Sequence, residues 1–324
     1  MVPPDNLFGV IPIWLAVYAL SAASFGAAGF ILYQRVFRLV MIGKKPDRFK
    51  EPVRRLFGAL PLILGQRKVL QSVSLRDRAG LAHFFIFWGF LSFTVSYGLF
   101  IFADAAWRPF SEKVLTETGV EIFGFYLDIL AVVFFVVLIW GAIRRWGVKP
   151  RRLSYDLTQK KESLIIMALI ASLMLFTLLT EAFYVAAGGD GPHATPFIGK
   201  AIGEAFANAG VDGDLANGLQ GVFWWLHLGI ILGFSLYIPL SKHMHLVAAP
   251  ISFVTRSLEP KGTLSTPLDL ETAEVFGASR VQDFNWKQLL DGFSCAVCGR
   301  CSDVCPANFS GKILSPMHIV ENMK

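Results

Sequence analysis

The chain has 324 residues, 54% of them hydrophobic and only 17% charged, with a mean hydropathy of +0.53. A domain that faces water carries about a quarter of its residues as Asp, Glu, Lys or Arg, so these values exclude a disordered chain and argue against a soluble globular protein. The net charge is +6, and all four cysteines fall between residues 295 and 305.

Crossing about 30 Å of hydrocarbon takes about 20 helical residues. In chain order the sequence predicts five such helices, at residues 7–34, 80–103, 120–143, 163–188 and 219–245. The first two are uncharged, the third contains only Asp128 from Ile122 onward, and the fourth carries Glu181 toward its end. The fifth is uncharged from Leu219 to Ser241 apart from the state of His227. Between the spans, Lys and Arg alternate sharply: 12 in residues 35–78, 2 in 104–119, 7 in 144–161, 1 in 189–218 and 8 from Lys242 onward. Basic residues accumulate on the cytoplasmic side of short loops. The N-terminus is therefore expected outside and the C-terminal tail in the cytoplasm, with no cleavable signal peptide. In the first basic loop, Phe57 to Leu70 is apolar on one side and reads as a helix lying in the interface. Gly188 to Pro192 (GGDGP) is turn chemistry. The expected organisation is an all-α membrane protein: a five-helix domain over 1–255, a linker over 256–282 and a cysteine segment over 283–324.

Cys295, Cys298, Cys301 and Cys305, with Pro306 after the last, spell C-x2-C-x2-C-x3-C-P. This is the local spacing of one half of a bacterial ferredoxin, in which three thiolates serve one 4Fe-4S cluster and the fourth serves another. A disulfide pair fits poorly with a reducing cytoplasm, and zinc usually takes two C-x2-C pairs with a longer spacer. A second cysteine run does not follow before Lys324. The expectation is that the chain continues beyond the helix-like VENMK, with a partner subunit or closure of a single cluster as the alternatives.

His227 and His245 are 18 residues apart, five turns, so a continuous helix puts both on one face but about 27 Å apart along the axis. His243 then points to nearly the opposite side from His245. Under the orientation above, His83 and His245 lie at similar depth near the cytoplasmic edge. A polar ring there is costly without a partner, and a b-type haem supplies one, with each imidazole held by a second acceptor behind it. His227 needs a partner about ten residues past His83, where the sequence has Phe93. One haem is therefore expected, with His193 as a substitute partner or His227 facing a quinone as alternatives. Asp128, alone in the third span, is the carboxylate best suited to a quinone or proton site, or to a bond with a neighbouring helix, while Glu181 lies close to the outer interface.

With these residues in view, 1–255 resembles the cytochrome b domain of the nitrate reductase gamma subunit, shared with the membrane subunit of heterodisulfide reductase. The likeness rests on LAHFFIFWGFLSF around His83 and HLGIILGFSLYIPLSKHMHLVAAP around His227 and His245. Residues 283–317, DFNWKQLLDGFSCAVCGRCSDVCPANFSGKILSP, resemble proteins that fuse this domain to a ferredoxin segment and then to CCG repeats. Some of these are electron-transfer-flavoprotein:menaquinone oxidoreductases. The resemblance implies haem ligation by His83 with His245, and in two-haem relatives by His227 with a histidine where this chain has Phe93. It also implies a quinone-linked relay in a prokaryotic cell membrane. The cytoplasmic partner would be an electron-transfer flavoprotein or a CCG-repeat subunit or domain. No nucleic-acid partner is expected. The rival readings are a non-redox transporter or receptor subunit, and a haem-free anchor carrying an iron–sulphur or zinc tail.

Overall fold

The computed structural model describes residues 2–4, 6–7, 11–46, 48–74, 77–150, 157–260, 263, 271–272 and 277–323. Much of the expected linker, and residues 8–10 of the expected first span, lie outside the described residues.

Among the described residues, five helices are long and apolar enough to cross a membrane. They are α1 (Ile13–Met41), α3 (Ala79–Trp107), α4 (Glu117–Val148), α5 (Leu157–Ala186) and α7 (Gly213–Tyr237). Shorter helices intervene or follow: α2 (Pro52–Ile63), α6 (Phe197–Asn208), α8 (His245–Val254) and α9 (Trp286–Phe293). Among the described residues, the one sheet pairs Asn6–Leu7 with Ile11–Pro12. The first long helix starts at Ile13, six residues later than the apolar run suggests, and Pro12 suits the entry to a helix because its missing N–H has no helical partner there. Three spans widen into π-helical turns near their ends, at Tyr33–Phe37, Gly98–Ala103 and Ile143–Val148.

The fifth span departs from expectation at its end. After Tyr237 the chain tightens into a 3-10 turn over Ile238–Leu240 and becomes extended at Ser241. A second 3-10 turn over Lys242–Met244 precedes α8. Pro239 removes a helical N–H, and the Ser241 side chain accepts from the His243 N–H at 3.2 Å, capping the new turn. His227 and His245 therefore do not lie on one continuous helix and do not share the face that a continuous helix would give them. The interfacial run also breaks: α2 ends at Ile63, Gln66 adopts a left-handed backbone with φ of 48°, and a short turn follows over Arg67–Leu70. Val53, Leu56 and Phe57 of α2 are exposed.

By contacts the chain divides into two compact units, one of Met1–Gly26, Ser74–Pro150 and Asp156–Ser235, the other chiefly of Ala27–Val73 and Leu236–Lys324. In the first unit, Ile13, Val17, Ile101, Trp224, Leu228 and Leu232 form one core and Phe183, Ala186 and Ala216 another. Polar bonds pin the helices inside these apolar surfaces: Ser24 Oγ donates to the Leu232 carbonyl at 2.8 Å and Tyr18 Oη to that of Phe102 at 2.9 Å. Small residues permit close approach. A Cβ at Gly89 of α3 would meet the Phe134 ring of α4 at 2.0 Å, and one at Gly203 of α6 would meet the Ala182 carbonyl oxygen of α5 at 2.5 Å. The start of α3 and the end of α4 are joined by Asp77, which accepts from the Ala79 N–H at 2.9 Å and from Arg144 Nη2 at 3.1 Å.

The second unit buries Val36 and Val40 of α1 with Met244, Ala248, Leu289, Leu290 and Phe293. Its backbone joins distant segments: the Lys44 N–H donates to the Phe284 carbonyl at 2.9 Å and the Trp286 N–H to the Lys44 carbonyl at 3.0 Å. Gly43 makes this possible, since a Cβ there would lie 2.5 Å from the Trp286 nitrogen. Arg55 of α2 is buried and donates to the carbonyls of Lys50 and Arg256, each at 2.6 Å.

Candidate functional site

The cysteine loop begins where α9 ends. α9 starts with a capping box in which Asn285 accepts from the Gln288 N–H and the Gln288 side chain accepts from the Asn285 N–H. Its last turn releases the chain through Ser294 into Cys295. Val297 and Gly299, on either side of Cys298, have φ of 53° and 75°. A β-branched residue in the left-handed region is strained. The reversal of backbone hand on both sides of Cys298 turns the loop back on itself. Cys301 follows on the turn Arg300–Asp303, and Cys305 caps the turn Pro306–Phe309, where proline occupies the first helical position.

None of the four cysteines is in a disulfide; Cys298 and Cys301 are exposed, Cys295 and Cys305 half-buried. Among the described residues, no group of three or more His, Cys, Asp or Glu side chains closes into a metal-holding set. Four thiols on one strained loop are nonetheless the soft donor set that iron–sulphur clusters take.

The histidines occupy distinct settings. His83 is half-buried in the second turn of α3. His227 in α7 is fully buried, and neither ring nitrogen has a hydrogen-bond partner. Its ring meets that of Tyr97 edge-on at 5.1 Å, and Trp224 Nε1, one turn earlier, is also buried without a partner. Buried polar atoms of this kind imply something further that bonds them. Phe93 offers no ligand; it is 2% exposed and packs edge-on against Phe134 at 5.9 Å, over Gly89. In the second unit, His245 Nδ1 lies 2.8 Å from the Lys242 carbonyl oxygen. That bond selects the tautomer with the proton on Nδ1 and the lone pair on Nε2, the arrangement a metal-ligating imidazole uses. The His243 ring stands edge-on to His245 at 5.5 Å.

Asp128 is 2% exposed, and its Oδ2 accepts from the Ile198 N–H at 2.7 Å, at the start of α6. Glu181 is 6% exposed and packs beneath Gly199 of the same turn, where a Cβ would meet the Glu181 Cβ at 2.9 Å. Two carboxyl groups thus converge on the N-terminal end of α6, whose positive dipole end favours negative charge. Spacing could not have paired them, because they come from different spans. His193 sits in the preceding loop, with Nε2 3.6 Å from Glu112 Oε1 and its ring edge-on to Phe100 at 5.5 Å. Burial first, and the Arg108 guanidinium further, push its imidazole down to about 3. At 3.6 Å the carboxylate does not hold a proton on the ring against that burial.

No family model and no solved structure matches the chain. It is 31% identical over 88% of its length to a protein of Bacillus subtilis described as a probable iron-sulfur-binding oxidoreductase, FadF, of which it spans 39%. It is 31% identical over 76% of its length to the EtfAB:quinone oxidoreductase of Syntrophomonas wolfei, of which it spans 34%. Over 21% of its length it is 41% identical to a probable membrane-anchored ferredoxin of Chromohalobacter salexigens, of which it spans 10%. The homologues of this five-helix chain are thus iron–sulphur-binding oxidoreductases and a membrane-anchored ferredoxin.

Proposed function

We propose that this chain is the membrane part of a quinone-linked iron–sulphur oxidoreductase, exchanging electrons between a cytoplasmic redox protein and the quinone pool. The observation that carries the reading is the joining of C-x2-C-x2-C-x3-C-P to five apolar spans in one chain. Likeness to an EtfAB:quinone oxidoreductase over 76% of the chain supports it. Cys295, Cys298, Cys301 and Cys305 would hold a 4Fe-4S cluster, the fourth thiol being available to a second cluster completed elsewhere. His83 and His245 would hold a b-type haem. For His245 the support is its Nδ1 bond to Lys242. His227 and His243 are secondary candidates, and Phe93 argues for one haem rather than two. When bound, these groups supply one-electron redox chemistry. The protein supplies position, bonds such as the one from His245 Nδ1 to the Lys242 carbonyl, and exclusion of water.

The alternation of basic loops supports an outward N-terminus and a cytoplasmic cysteine segment, with α2 lying in the interface. The cytoplasmic partner would be an electron-transfer flavoprotein or a CCG-repeat subunit or domain. The competing reading is a haem-free anchor carrying an iron–sulphur tail. A reduced-minus-oxidised visible spectrum of the detergent-purified protein, with iron, acid-labile sulphide and haem quantified per chain, separates them. One b haem per chain is expected. No haem under haem-replete expression would leave the anchor. Cys298→Ala should abolish the iron–sulphur signal while leaving the haem spectrum; loss of both would show that the two regions do not fold separately.

A further inference from the structure

The second unit contains a cavity of about 840 Å³ whose lining includes Gly29, Leu32, Val36, Lys45, Ala248 and Trp286. This is well within the range of small-molecule sites, about 300–1,000 Å³. Its floor is the buried core of Val36, Val40, Met244, Ala248 and Leu290. Two stacked aromatic pairs stand in its walls, Tyr33 with Phe37 at 5.6 Å and Phe49 with Trp286 at 5.8 Å and 12° between planes. Phe37 and Phe49 are 52% and 73% exposed.

The cavity is graded along its length. α1 has 29 residues, about 43 Å at 1.5 Å per residue. That exceeds the hydrocarbon thickness of about 30 Å, so its last turns, with Arg35 and Arg38, reach headgroup depth. Gly29 and Leu32 line the end nearer the hydrocarbon; Lys45, Pro46, Phe49 and Trp286 line the other. An occupant must then be long and apolar at one end and flat or weakly polar at the other. Among the described lining residues Lys45 is the one charged group, whereas headgroup phosphates are gripped by clusters of cations. Flat aromatic faces suit an aromatic ring. The far wall also leads to the cysteine loop: Leu290 lies in the last turn of α9, which ends at Phe293, and Cys295 follows two residues later.

We propose that this cavity is a binding site for a polyprenyl quinone, its chain lying along α1 and its ring at the end formed by Lys45, Phe49 and Trp286. The proposal rests on the quinone-linked reading above and adds where the quinone sits. The test uses the full chain in phosphatidylcholine nanodiscs, labelled with a photoreactive azido-naphthoquinone carrying a polyprenyl chain and mapped by mass spectrometry. Label is expected on peptides containing Gly29–Phe49 and Trp286–Leu290, displaced by unlabelled polyprenyl naphthoquinone but not by phosphatidylglycerol. Gly29→Phe fills the cavity from a position where a Cβ meets nothing within 4 Å, and Ile251→Trp fills it from α8. Each should lower labelling about tenfold while helical circular dichroism and bound iron stay unchanged. Displacement by phosphatidylglycerol would make the cavity a lipid crevice and overturn the proposal. Quinone-displaceable label elsewhere, insensitive to both variants, would overturn the location and leave the quinone-linked reading standing. No quinone-displaceable label anywhere would overturn both.

Discussion

Asp128 accepts the Ile198 N–H at 2.7 Å and so satisfies one of the donors that the start of α6 leaves without a helical partner. Asp128→Ala should cost about 1–2 kcal/mol, the scale of a lost cap, read as a lower thermal midpoint in detergent. Asp128→Asn keeps an acceptor and should recover most of it. If Asn matches Ala in quinone turnover yet restores stability, the carboxyl also carries protons. At His193 the folded-state value of about 3 lies below the ordinary 6.5, so between these values only the unfolded chain takes up the proton. Its stability contribution is complete above about pH 6.5 and declines as pH falls toward 3. Thermal midpoints measured from pH 7 to 4 should fall less steeply in His193→Gln; parallel slopes would show that the imidazole is already charged in the fold.

At the scale of elements, α5 and α6 depend on an absent side chain. Gly203 brings the α6 backbone against Ala182 and Val185, with no room for a Cβ. Gly203→Ala should destabilise by about 1–3 kcal/mol through overpacking. Gly218→Ala, in α7 where a Cβ meets nothing within 4 Å, should be neutral or stabilising by up to about 1 kcal/mol. Comparable losses in both would mean that helix propensity, not close approach, governs this bundle. The break after Tyr237 is an element-level decision as well. Pro239 and the Ser241 cap end one helix and start another, and a reading by period alone runs straight through them.

At the scale of the whole molecule, the cysteine segment is tied back to residues some 240 positions earlier. Lys44 exchanges backbone hydrogen bonds with Phe284 and Trp286, and Gly43 leaves the space for them. Gly43→Ala should speed hydrogen exchange at the Lys44 and Trp286 amides while the five spans keep their protection. Unchanged exchange at those two amides would show that the strap tolerates a methyl group.

How much was legible follows from what each signal depends on. The five spans were readable because a lipid-crossing helix must satisfy its backbone internally and present about 20 apolar residues, a local requirement that composition alone records. The cysteine run was readable for the same reason, since ligand spacing is a property of a few consecutive residues. The bond of Asp128 to Ile198, the contact of the His227 ring with Tyr97, and the apolar cavity beside α9 were not. Each joins residues from separate spans or opposite ends of the chain, where close approach depends on single glycines such as Gly43, Gly89 and Gly203. Local chemistry wrote the elements and the cysteine motif. Only tertiary packing decided which buried polar groups meet and which apolar surface stays open, because those outcomes depend on clearances of an ångström between distant segments.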